Sequence, residues 1–412
     1  MRYSLGRLRL QPTIHTARQC LQGRIRNYHE VKTPLEQLIL NSIKATGPIS
    51  VANYIQLCLA HPTHGYYMKG DPLGVSGDFI TSPEISQVFG ELAAIWFLST
   101  LQSQTTGATS TPSKGVRLVE LGPGRGTLMN DILRVFRGPL ASSTPVKSVH
   151  LIETSPALRE KQKTALSTYL ESNISRSPPL DVQWHEQIED VPEDSSVDTL
   201  VIANEFFDAL PIHVFEKASD GWHEVLVDSS RHESIIQRPG AISKVSSSSS
   251  PPSHRLRFVL SHSPVPIPAV STNPRFAKVP NGTRIEYSRA AVNIMRKIGR
   301  LISPGESGEP GSTEKAASSS DPVRVVSGES GGGGGGASNR GGMALLVDYG
   351  ADHFFSSSLR GIRNHQIVDP FEEPGNSDLT SNVDFASLRD ALVEFPKGTL
   401  VVKWSWQATD AE

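Results

Sequence analysis

A chain of 412 residues carrying 40 basic and 42 acidic side chains, with a formal net charge of −2, has no electrostatic case for gripping nucleic acid along a basic surface. With only Cys20 and Cys58, a disulfide framework or a thiolate metal site is excluded once the N-terminal segment is set aside. No run of residues approaches the ~20 apolar positions of a membrane span.

The N-terminus reads first. Arg2, Arg7, Arg9, Arg18, Arg24 and Arg26 all precede the first acid, Glu30, with hydroxylated and apolar residues between them. This is the composition of a mitochondrial presequence, expected over 1–28; a basic arm is the alternative. Leu35, Leu38, Ile39 and Ile43 then follow helical spacing from Pro34, and Gly47-Pro48 turns the chain. Ser50 is placed to cap a second helix through Leu59, and a third is expected from Pro83 to Leu101. These make a small helical lobe over 31–102. Before the third helix, Gly77-Asp78-Phe79-Ile80-Thr81 is rich in turn formers. Phe79 and Ile80 suit packing of the lobe, whereas Asp78 and Thr81 suit covering a bound cofactor; the residues alone do not choose.

Val119-Glu120-Leu121-Gly122-Pro123-Gly124-Arg125-Gly126-Thr127 is the most informative stretch. An apolar strand ends in an acid and breaks into glycines, then a helical stretch runs to Phe136. Glycines there bring bare backbone N–H groups close to a ligand at a helix start. The dinucleotide fingerprint wants its third glycine three residues after the second; that place is held by Thr127, and Glu120 would repel a pyrophosphate. An amino-bearing cation such as S-adenosylmethionine fits better, with a nicotinamide or flavin site as the rival. Val149 to Glu153 reads as a second strand ending in an acid, where a doubly wound sheet holds ribose hydroxyls.

Strands and helices alternate afterwards. A helix is expected over Ser155 to Leu170, strands at Val182–Trp184 and Asp198–Ala203, and a hairpin from Ile212–Lys217 to Trp222–Val227. A helix over Arg289–Ile302 and a strand over Met343–Tyr349 follow. The pattern predicts a doubly wound, mostly parallel α/β sheet over 114–412. Two Ser-, Pro- and Gly-rich tracts, near 229–255 and 303–342, interrupt it as disordered insertions. Asn204-Glu205-Phe206-Phe207-Asp208 leaves a buried strand; if that turn is helical, Glu205 and Asp208 share a face and suit a guanidinium held in bidentate hydrogen bonds. A capped helix start is the plainer alternative, as a strand-end cap is for Asp348. No metal-ligand spacing stands out among the 13 histidines.

Several of these blocks together resemble one family. Gly47-Pro48-Ile49-Ser50, Gly65-Tyr66-Tyr67, Gly77 to Glu84, Glu120 to Thr127, Asn204 to Pro211, Asp348-Tyr349-Gly350 and Asp378 to Phe385 stand in the order of the MidA-like S-adenosylmethionine-dependent methyltransferases, whose mitochondrial members are complex I assembly factors. The likeness covers roughly Pro34 to Leu388. It implies S-adenosyl-L-methionine as cofactor and symmetric dimethylation of an arginine on a core hydrophilic subunit of complex I, in the mitochondrial matrix. By similarity Gly122, Gly124 and Gly126 approach the cofactor and Glu153 takes its ribose. Asn204, Glu205 and Asp208 line the place where donor and acceptor meet. A catalytically silent assembly chaperone on the same fold is the rival. The stretch Thr399–Trp406 departs from the family pattern, where antiparallel strands finish the sheet, and on that reading edge strands are lost.

Overall fold

The computed structural model describes residues 33–69, 81–105, 114–170, 180–230, 255–304, 325–326, 342–395 and 400–406. The expected presequence, Asp78 and most of the two insertion tracts lie outside the described residues.

Near the N-terminus, helix α1 (Pro34–Thr46) is capped by the Thr33 hydroxyl, and α2 (Val51–Ala60) by Ser50, which accepts from the Asn53 N–H. The expected third helix is divided. A single turn, Ser82–Ile85, ends at the extended Ser86, and α3 runs over Gln87–Thr105. Ser86 makes the break, because its Oγ accepts from the Val88 N–H and restarts the helix. Strand β1 (Val116–Leu121) leads into α4 (Thr127–Phe136), then β2 (Val146–Ile152) and α5 (Pro156–Ala165). The helix expected to continue to Leu170 breaks at Leu166, leaving Ser167–Leu170 as a separate turn. Strands β3 (Asp181–His185) and β4 (Asp198–Asn204), helix α6 (Arg289–Ile302), and strands β5 (Met343–Ala351) and β6 (Leu400–Trp406) complete the main layer.

The order across this sheet is β6-β5-β4-β1-β2-β3, with every pairing parallel. Its two faces are buried by different helices. Val119, Leu121, Val201, Ala203, Ala344 and Leu346 pack on Val292, Met295 and Ile298 of α6. Leu118, Leu200, Ile202, Met343, Leu345 and Val347 pack on Phe97 of α3 and Leu128, Ile132 and Leu133 of α4. This is the expected doubly wound α/β sheet. Sequence neighbours step outward in opposite directions from β1 and β4, so the crevice for a ligand opens beyond their carboxyl ends.

The stretch Leu400–Trp406 enters this sheet as a parallel strand in register with Met343–Tyr349. On its far side Val401 and Val402 pair with Val325 and Val326. A second, antiparallel sheet contains the expected hairpin (His213–Ala218 with Gly221–Ser229), flanked by Leu256–Leu260, Arg284–Tyr287 and Ile49–Ser50. Leu35, Ile39, Tyr54 and Ile55 of α1 and α2 are buried with Val214, Val225, Val227 and Leu379. The N-terminal helices therefore share their core with late segments of the chain and stand at the same end of the main sheet as the crevice.

Candidate functional site

Three left-handed glycines shape the turn after β1: Gly122 at φ 64°, Gly124 at 53° and Gly126 at 85°. Only glycine takes such a run without strain. The Gly126 N–H closes the turn on Pro123 O at 2.7 Å, and the Gly122 N–H reaches Ile152 O at 3.1 Å, joining the turn to the end of β2. Space matters at Gly122 as much as conformation, since a β-carbon there would lie 2.8 Å from Phe206 Cδ2.

Glu120 is buried, and its Oε2 has no hydrogen-bond partner. Burial, and then the neighbouring charge of Glu153, push its carboxyl up to about 8. Glu153 is raised by burial as well, opposed by the Ser155 N–H on Oε1 (2.8 Å) and Gln162 Nε2 on Oε2 (3.2 Å). Gln162, on α5, also donates to Gly124 O at 2.8 Å and accepts from Trp184 Nε1 at 2.9 Å. It ties the glycine turn, the second acid and β3 together. No sequence pattern singled it out.

The turn after β4 is not the helix considered from the sequence. Glu205 takes a left-handed φ of 49°, a conformation that costs a non-glycine residue roughly 1 kcal/mol or more and clusters at functional sites. It is held there by its own N–H on Val347 O (2.8 Å) and by Asp348. Asp348 Oδ2 accepts from the N–H groups of Phe206 (3.1 Å), Phe207 (2.8 Å) and Asp208 (3.4 Å). Asp348 is thus a cap, and burial beside Asp208 holds its carboxyl well above the usual range.

The two acids of this turn separate as a result. Asp208 accepts from Thr380 Oγ1 at 2.8 Å, close to the Arg360 guanidinium, with burial raising its pKa. Glu205 turns the other way, and burial together with the Asp208 charge raises its carboxyl to about 7. Its Oε1 lies 3.4 and 3.5 Å from the N–H and Oγ of Ser82.

These elements enclose one cavity of about 410 Å³, within the range of small-molecule sites. Glu120, Gly122, Gly124, Glu153, Thr81, Asn204 and Glu205 line it. Gly126 and Asp208 do not: Gly126 starts α4 behind the turn, and Asp208 faces Thr380. Tyr67 also lines it, its hydroxyl donating to Asp378 at 3.0 Å; so do Phe206 and Glu84, none of which sequence reasoning assigned a role. Asn204 Oδ1, like Glu120 Oε2, is buried without a partner. Two orphaned acceptors lining one cavity fit a ligand that brings donors, such as an ammonium and hydroxyls. That is the donor set of S-adenosyl-L-methionine. Among the described residues no cluster of His, Cys, Asp and Glu could hold a metal ion, and no helix is long and apolar enough to cross a membrane.

Comparison with known proteins bears on the same region. A family model of S-adenosyl-L-methionine-dependent methyltransferases matches residues 92–397. A zebrafish (Danio rerio) protein named "Protein arginine methyltransferase NDUFAF7, mitochondrial" is 36% identical over 94% of this chain and 78% of its own length. The human (Homo sapiens) protein of that name is 35% identical over 87% of this chain and 68% of its own. A bacterial protein from Burkholderia thailandensis, solved with S-adenosyl-homocysteine, shares the fold at a TM-score of 0.58 and 21% identity, covering 88% of this chain and 78% of that one.

Proposed function

This chain belongs to the S-adenosyl-L-methionine-dependent methyltransferase family, and from that premise we propose that it methylates arginine in a protein acceptor. The observation that carries the reading is Glu205, a half-buried carboxyl lining the cavity that Glu120 also lines, with a pKa of about 7 and a second acid behind it. A guanidinium brought to such a carboxylate is held by charge-assisted hydrogen bonds. The relatives named as protein arginine methyltransferases point the same way.

Bound S-adenosyl-L-methionine supplies an electrophilic methyl carbon. Glu120 and Asn204 would accept from its amino group, Glu153 from its ribose hydroxyls, and the turn at Gly122 and Gly124, closed from behind by Gly126, would admit it at close range, with Thr81 and Asp78 proposed as its cover. Glu205 would align the acceptor nitrogen in line with that carbon and take the proton released as the new N–C bond forms and the sulfur–methyl bond breaks, S-adenosyl-homocysteine being the leaving group, with Asp208 supporting it electrostatically. Alignment of this kind supplies much of such a rate. We infer further that the product is symmetric dimethylarginine on a core hydrophilic subunit of complex I and that the compartment is the mitochondrial matrix. Residues 1–28 would act as the presequence, 31–102 as an accessory lobe and 114–412 as the methyltransferase domain.

The test mixes the chain from His29 onward with methyl-labelled S-adenosyl-L-methionine and a methylation-naive complex I subunit. Label recovered as symmetric dimethylarginine is expected. Glu205→Ala should abolish it while S-adenosyl-homocysteine binding stays within a few-fold. Binding without transfer by the wild-type chain would favour the silent chaperone, and turnover by Glu205→Ala would remove the role given to that residue.

A further inference from the structure

Thr127 stands where the dinucleotide fingerprint has its third glycine, at the first position of α4. Its hydroxyl donates to Glu84 Oε1 at 2.7 Å, and Arg125 Nη1 lies 3.6 Å from Glu84 Oε2. Glu84 belongs to the short segment before α3, far from the motif in the chain. A helix start attracts an anion, and a dinucleotide enzyme puts its pyrophosphate there; here the chain lays its own carboxylate against that first turn. The same segment also reaches another part of the cavity wall, where Ser82 meets Glu205, and Pro83, between these two attachments, and Thr81, just before them, line the space.

We propose that Glu84 is a latch: by bonding Thr127 it holds the Thr81–Ile85 segment across the cleft and so confines the bound cofactor. The residue touches the cofactor loop rather than the reacting atoms and is a positioning residue. Its loss should weaken cofactor binding and leave the chemistry of the bound complex alone. The proposal rests on the cavity being the cofactor site, which the wild-type measurement tests separately.

The experiment titrates S-adenosyl-homocysteine calorimetrically into the full chain and its Glu84→Ala, Thr127→Val and double variants. Each single change should raise the Kd about tenfold, and the double variant should be no weaker than the worse single one, because both remove one bond. Thr127→Val breaks that bond from the helix side at nearly constant volume, so the outcome does not depend on Glu84→Ala folding. Glu84→Gln keeps an acceptor for Thr127 and should restore most of the affinity. In the transfer assay, KM for the methyl donor should rise while kcat at saturation stays within twofold. Single-variant Kd values within threefold of wild type, or effects that multiply in the double variant, would overturn the latch. Failure of the wild-type chain itself to bind would instead overturn the cofactor site.

Discussion

Glu120 and Glu205 hold protons more tightly in the folded chain than in an unfolded one, at about 8 and about 7 against an ordinary 4.5. Between about 4.5 and 8 the folded state therefore carries the extra protons, and stability conferred by these groups falls as pH rises through that window. Urea unfolding of the ligand-free chain should show this decline, and Glu120→Gln should flatten its upper part; an unchanged slope would mean that Glu120 ionises normally. A bound ammonium beside Glu120 favours the carboxylate, so cofactor binding at pH 7 should release protons. The measured enthalpy should then vary with the ionisation heat of the buffer. The placing of Glu120, Gly122, Gly124 and Glu153 at strand ends was readable in the sequence because each lies in one strand-turn unit whose spacing is local. The contacts of Gln162, Glu84 and Tyr67 were not, since each arrives from another element; Glu84 and Tyr67 stood in blocks of the family resemblance, but nothing local said what they would touch.

At the scale of elements, the turn after β4 is the part that sequence periodicity misjudged. Spacing of three between Glu205 and Asp208 suggested a shared helical face, but the backbone groups of the turn find a better acceptor in Asp348 than in a helical ladder. Asp348→Ala would leave three N–H groups, one buried and two partly buried, without their carboxylate, at a cost on the order of 3 kcal/mol. The expected outcome is a lower urea midpoint together with loss of transfer. A variant of unchanged stability would mean that water or another group takes over the cap. Helix boundaries at Ser50, Arg289 and Ile302 were legible because capping and apolar period agree there, whereas the breaks at Ser86 and Leu166 depend on single hydrogen-bond choices.

For the whole molecule, alternation of apolar strands with amphipathic helices was enough to expect a parallel sheet, because only that arrangement buries both faces of each strand. The partnership of α1 and α2 with the antiparallel hairpin was beyond reach, since it joins positions well over a hundred residues apart. So was the placement of Leu400–Trp406, which the family pattern did not contain. As built, this strand covers β5 along Met343–Tyr349. Removing residues 396–412 should expose that flat edge and promote self-association, visible as light scattering and a lowered melting temperature. A truncated chain that stays monomeric and melts like the parent would show that the strand contributes little.

The distance in sequence between Asp348 and the turn it caps, 141 residues for Phe207, has a consequence for how the protein comes into being. As the chain emerges from the ribosome, the glycine turn and both of its acids are made early, but the acid turn stays unsecured until β5 is synthesised and docks. The residues between Ser230 and Arg255 and between Pro304 and Gly342 must all be synthesised first, and they lengthen that wait. The nascent protein therefore has its glycine turn well before the acid turn is secured, and the arrival of β5 decides when the cavity is complete.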